Sequence, residues 1–223
     1  MSSVGASPSL ASIHIYPLKA GRAVDLPESR VEPWGLAGDR RWLVVDDAGR
    51  FVSQRQEPAL ARVSVRYVTA QYAGAQYAGA AGTDHPAWPA VISTGPISLS
   101  ADGRPPLTVP APSEDGGAEM LWVTVWSSKV RAAAAGSGAD DWFSSLLGRP
   151  VRLVHLDDPT RRQVDPEYGG PGDRVSFADG HPLLLTTVGS LDALGRWLAT
   201  DGHSPDVAQE DVGKYIYRIG GGG

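Results

Sequence analysis

Alternation of apolar and polar positions sets most of the predicted elements. SIHIY, residues 12–16, alternates as a strand does, and Pro17, which has no N–H for a ladder, ends it or holds it at an edge. WLVV at 42–45 is a continuous apolar run. Turn residues Asp46, Asp47, Ala48 and Gly49 follow, and the chain returns through Phe51 to Ser53, which predicts a hairpin. ARVSVRYV, residues 61–68, lines Val63, Val65 and Tyr67 on one face. PISLSADGRPPLTVPAP, residues 96–112, predicts another hairpin around Ala101, Asp102 and Gly103, and LWVTVW, residues 121–126, a strand with two tryptophans.

Helical signals are fewer. ADDWFSSLL, residues 139–147, opens with two acids and is stopped by Gly148 and Pro150; PVRLVHL, residues 150–156, then reads as a strand. Near the end, the apolar run at 183–185 leads as a strand into LDALGRWLA. Ser190 is the expected N-cap there, with Leu191, Leu194 and Leu198 on one helical face. Residues 1–10 read as a loose polar tail. AQYAG is repeated in tandem within 69–82, too few copies for a solenoid, and reads as a duplicated surface loop. The predicted class is a mixed, β-rich α+β fold: a β-barrel-like module followed by a segment with one or two helices.

The 223 residues suffice to bury a sizeable core, and 42% hydrophobic with 20% charged residues is ordinary for a globular protein. A net charge of −5 and a pI near 5.5 argue against a nucleic-acid or anionic-membrane surface, so any anion site must be local. The chain has no cysteine, hence no disulfide, thiolate metal site or cysteine nucleophile of its own. A signal peptide and an apolar run of membrane-spanning length are both missing, which predicts a soluble, cytoplasmic protein.

Local anion chemistry has one good candidate. Lys19 follows one strand and Arg40 precedes another, each beside a turn, where side chains converge on a barrel mouth. Lysine offers a compact cation and arginine a planar fork, a pair suited to a phosphorylated or heteroaromatic ligand; solvated basic residues at strand ends are the alternative. Arg55, between Gln54 and Gln56, either lines the same mouth or pairs with Glu57 or Asp39. Thr186, Thr187 and Ser190 place hydroxyls at a helix start, where a phosphate fits and where a plain cap is equally at home. The five histidines show no metal-ligand spacing, and no nucleophile motif accompanies the serines. Asp165, Glu167 and Asp173 in a glycine-rich loop read as a solvated cluster before a cation site.

IHIYPLK, then GLAGDRRWLVVDDAGRFVSQRQEPALA, resembles the N-terminal β-barrel module of MOSC-domain proteins, the family of the mitochondrial amidoxime-reducing component. VRLVHLDDPTRRQVDPEYGGPGDRVSFADGHPLLLTTVGSLDAL resembles the junction with the MOSC domain and its opening. The resemblance covers roughly residues 11–198 and is weak around 69–118. It implies a tail at 1–10, the barrel module at 11–130, a helix-strand junction at 131–160 and a partial MOSC domain at 161–223. It also implies a molybdenum cofactor (molybdopterin), reduction of N-hydroxylated compounds, and redox partner proteins that supply electrons. On the family's pattern, Lys19 and Arg40 contact the cofactor, with Asp39 and Arg41 shaping or solvating the turn. Thr187 and Ser190 lie beside the cofactor phosphate; no catalytic residue and no metal ligand is assigned.

Ala20 stands where the family favours a hydroxyl. The later RFRPN segment and the molybdenum-ligating cysteine have no counterpart, so the expectation is a chain cut short within the MOSC domain, with cofactor retention and oxidoreductase activity in question. Such a chain would expose an apolar edge near residues 183–185 and invite self-association. The alternative is a non-catalytic binding module for a pterin, phosphate or protein partner. Sulfur or pyridoxal-phosphate handling is a third reading, which the lack of cysteine disfavours.

Overall fold

A computed structural model describes residues 9–68 and 95–200, the last three by backbone alone. In chain order the elements are β1 (Ile13–Ile15), β2 (Val24–Leu26), β3 (Val31–Glu32), β4 (Gly35–Leu36), β5 (Trp42–Val45), β6 (Ser64–Tyr67), β7 (Ile97–Ser100), β8 (Leu107–Val109), β9 (Met120–Val125), β10 (Ser128–Ala134), α1 (Ser137–Leu147), β11 (Arg152–His155) and α2 (Val188–Thr200). The β-rich α+β class holds.

The main sheet is antiparallel in the order β5-β11-β10-β9. Both faces of β5 are covered, so all four of its residues are buried and WLVV shows no alternation. Leu43 and Val45 pack with Val123, Val154 and Phe177 on one face. Trp42 and Val44 pack with Leu99, Phe143 and Leu153 on the other. Residues 49–52 join the two outer strands. Val52 N–H donates to Val44 O at 2.9 Å, Phe51 N–H to Thr124 O at 3.1 Å, and Thr124 N–H to Gly49 O at 2.8 Å. The sheet thereby closes on itself and leaves no long edge. Gly49 permits the closure: its φ is +73°, and a Cβ there would sit 2.5 Å from the Trp122 carbonyl oxygen.

A second antiparallel sheet, β6-β7-β8, supplies Val65, Ile97, Leu99 and Val109 to the core shared with α1. That helix buries Ala139, Trp142 and Phe143, the i, i+3, i+4 spacing of a single apolar stripe. Its Asp140 accepts from Leu153 N–H at 2.9 Å and from Arg152 Nε at 3.1 Å, which ties the helix to β11. Burying one such aromatic side chain contributes about 1.5–3 kcal/mol.

Several expectations shift. α1 begins at Ser137, two residues before the expected start, after Gly136 at φ +97°. α2 begins at Val188, and its cap is Thr187 rather than Ser190: Thr187 Oγ1 accepts from Ser190 N–H at 3.1 Å and Thr187 O from Leu191 N–H at 3.1 Å. Residues 183–185 pair with no described strand; Leu185 is 87% exposed. β10 was not expected, because its alanines carry no strand signal. The AQYAG repeat, most of the N-terminal tail, His85, His203, the Leu198 side chain and residues 201–223 lie outside what is described.

Candidate functional site

The turn after β1 and the turn before β5 are laced together by the backbone. Arg40 N–H donates to Tyr16 O at 2.7 Å, Trp42 N–H to Pro17 O at 3.0 Å, and Lys19 N–H to Trp42 O at 2.8 Å. This lacing sets Lys19 beside the stretch 39–41, as the sequence suggested for Lys19 and Arg40. Three residues other than glycine carry positive φ among those described: Ala20 (67°), Arg40 (48°) and Trp126 (54°). All three flank the same mouth. Left-handed backbone at such residues costs on the order of 1–3 kcal/mol each and concentrates where geometry serves a site.

Around that mouth the side chains form a compact ionic cluster. Lys19 is 7% exposed, and its Nζ donates to Asp179 Oδ1 at 2.5 Å. The same oxygen accepts the Trp126 indole N–H at 2.7 Å. Phe51 lies under the ammonium, 5.4 Å from Nζ to ring centroid, and packs edge-on against Trp126. Burial pushes the Lys19 amine down to about 8; Asp179 opposes the shift, and the guanidinium groups of Arg40 and Arg162 reinforce it. Arg40 pairs with Asp39 at 2.8 Å and reaches over the Tyr16 ring. Asp39 is buried and also accepts the Tyr16 N–H at 2.8 Å. Burial pushes its carboxyl above the usual range, against the pull of Arg40 and that N–H.

Arg162 completes the cluster and was missed in the sequence, where it sits in an unremarkable DDPTRRQ. It donates to the carbonyls of Ser176 and Ala178 and, at 3.1 Å, to that of Asp179. Burial holds it near 10, with Asp179 opposing. The Nε atoms of both Arg40 and Arg162 are buried without a hydrogen-bond partner among the described residues. A cluster of three cations, balanced by two carboxylates, can draw an anionic oxygen to its rim.

Other candidates resolve differently. Arg41 is buried and bonded to the carbonyls of Leu156 and Asp157, so it shapes the turn from inside and is not solvated. Arg55 is exposed, and the partners expected for it are engaged elsewhere: Glu57 with Arg149 at 2.7 Å and Asp39 with Arg40. Thr187 and Ser190 are exposed and bond each other at 3.0 Å; no described hydrogen bond joins them, or the exposed Thr186, to the Lys19 cluster. Asp165 and Asp173 accept backbone N–H groups of Glu167 and Gly170, which shapes their loop. His155 is a core residue, stacked on Trp42 at 4.5 Å and pushed down to about 4 by burial. His14 joins Asp25 at 2.6 Å and Ser12 at 2.9 Å, the bond order of a hydrolytic triad. Cross-strand pairing of His14 with Asp25 accounts for it, and Asp25 lies largely in water.

A family model of the MOSC N-terminal beta barrel domain matches residues 7–150. Mitochondrial amidoxime-reducing component 1 of Xenopus laevis is 24% identical over 199 residues, covering 85% of this chain and 50% of its own. Human mitochondrial amidoxime reducing component 2 is 36% identical over 191 residues, covering 82% and 49%. Human molybdenum cofactor sulfurase is 23% identical over 197 residues, covering 86% of this chain and 20% of its own. The chain spans about half the length of the amidoxime-reducing relatives it matches.

Proposed function

The chain belongs to the family of the MOSC N-terminal beta barrel domain, and on that premise we propose that its mouth holds the phosphate-bearing pterin of a molybdenum cofactor. The observation that carries this reading is the convergence of Lys19, Arg40 and Arg162 at one largely buried mouth, with the Nε atoms of both arginines unpartnered among the described residues. The residues fit the group. Two guanidinium forks match phosphate oxygens or a pterin edge, a desolvated ammonium adds a point charge, and Phe51, Tyr16 and Trp126 provide ring faces beside them. When bound, the cofactor supplies the redox chemistry of its metal. The chain's own residues supply the grip: Arg40 orients, Lys19 neutralises charge, and the aromatic side chains keep water from the amine.

The 223 residues contain no cysteine, so they contribute the cofactor-holding side and no thiolate for the metal. The reaction we assign to the whole assembly is reduction of an N-hydroxylated compound by electrons from a redox partner. In this reading the hydroxyls of Thr187 and Ser190 join the site once residues 183–190 fold against the barrel. The same movement, a second copy or another polypeptide would cover Leu183, Leu184 and Leu185.

The test is the molybdenum and pterin content of the chain purified from a host that makes the cofactor. Near-stoichiometric loading that falls at least tenfold in Lys19→Met supports the reading. A folded chain without molybdenum or pterin in either form contradicts it and leaves the non-catalytic binding module.

A further inference from the structure

The ionic cluster holds two carboxylates, and they are bound in very different ways. Asp39 is 3% exposed, lies in the laced turn before β5, and is fixed by the Arg40 guanidinium and the Tyr16 N–H. Asp179 is 19% exposed at its side chain and lies in no strand or helix. Residues 175–178 before it are buried, and two of their carbonyls grip Arg162. Gly180 and His181 after it are exposed, and a Cβ added at Gly180 would meet nothing within 4 Å. The Asp179 carbonyl also accepts from Arg162 at 3.1 Å, and Pro182 returns against Gly35, so the backbone is anchored on both sides of the exposed pair Gly180 and His181. Of the two acids, Asp179 is the one whose carboxylate a side-chain rotation can withdraw, since its side chain is 19% exposed against 3% for Asp39.

What Asp179 does in place is equally specific. Its Oδ1 accepts the Lys19 ammonium at 2.5 Å and the Trp126 indole N–H at 2.7 Å. Two convergent donors, one charged, on one anionic oxygen is also the arrangement by which a protein holds a phosphate oxygen. We propose that Asp179 is an internal stand-in for the ligand: its carboxylate occupies the donors of Lys19 and Trp126 until an incoming phosphate displaces it. This rests on the anion-site reading of the mouth and adds its regulation. The carboxylate satisfies a buried ammonium that would otherwise lie unpaired, which keeps the ligand-free barrel intact. It also sets a threshold, since only an anion binding more strongly than an attached carboxylate opens the site. Multiply charged phosphates meet that threshold, and singly charged anions such as chloride or acetate do not.

Titrating inorganic pyrophosphate into the full chain, by calorimetry, tests this. Asp179→Asn, which keeps the shape and an acceptor but removes the competing charge, is expected to bind about tenfold more tightly than wild type, about 1.4 kcal/mol. In the wild type, the indole N–H resonance of Trp126, assigned with Trp126→Phe, should shift with the same Kd; that readout stands even if Asp179→Asn folds poorly. An unchanged affinity in Asp179→Asn with a static Trp126 resonance, while Lys19→Met still weakens binding, overturns the stand-in and leaves the anion site. Absence of pyrophosphate binding in wild type, Asp179→Asn and Lys19→Met alike overturns both.

Discussion

Arg40 and Arg41 are neighbours in sequence and send their guanidinium groups into two different regions. Arg41 turns inward, 2% exposed, onto the carbonyls of Leu156 and Asp157, where it locks the entry to β5 against the exit of β11. Arg40 adopts φ 48° and turns to the mouth, where Asp39 takes one end and Nε stays unpartnered. The seam is satisfied by backbone dipoles that nothing small can replace. At the mouth Arg162 is likewise held by carbonyls, whereas Lys19 and Arg40 face carboxylates whose place another anion can take. A strained backbone and an amine pushed down to about 8 are costs that a purely structural region has no reason to carry.

The largest effects should come from the interior. Phe143 is fully buried between α1 and both sheets, so Phe143→Ala should lower stability by about 3–5 kcal/mol in urea unfolding. Arg41→Met should cost on the order of 2 kcal/mol, because buried carbonyls lose their donor, yet leave anion affinity within about twofold in the folded chain.

The mouth should answer to pH in the opposite sense for stability and for binding. Lys19 releases its proton near 8 when folded and near its ordinary 10.5 when unfolded. Between those values the unfolded chain holds more protons, so stability rises with pH. Relative to Lys19→Met, the wild type should gain on the order of 2–3 kcal/mol from pH 8 to 10.5 in denaturant curves.

Arg40→Lys keeps the charge beside Asp39 but loses the fork. It should weaken pyrophosphate binding about three- to tenfold while stability changes by less than about 1 kcal/mol. Leu185→Ser, at an 87% exposed position, should stay within about 0.5 kcal/mol; a larger loss would mean that residues 183–185 pack in solution.

What was legible in the sequence follows the range of the forces involved. The strands at 42–45, 97–100 and 120–125 and the helix ending at Gly148 were readable because patterning and glycine stops act locally. β10 was not, since Ala132, Ala133 and Ala134 are buried by packing and not by strand propensity. Lys19 and Arg40 stood out beside their turns. Asp179, 160 residues from Lys19, and Arg41's partner Leu156, 115 residues away, left no local trace. The cap of α2 moved from Ser190 to Thr187 because both hydroxyls suit the role and only the backbone chooses.

The central claim is that the charge on Lys19 binds an anion at this mouth. Calorimetric titration of pyrophosphate into the wild type and Lys19→Met, at pH 7 and at pH 9, tests it most directly. With the amine near 8, wild-type affinity should fall about tenfold from pH 7 to pH 9, and Lys19→Met should bind weakly at both with no such fall. Equal affinities in the two chains, unchanged between the two pH values, would contradict it.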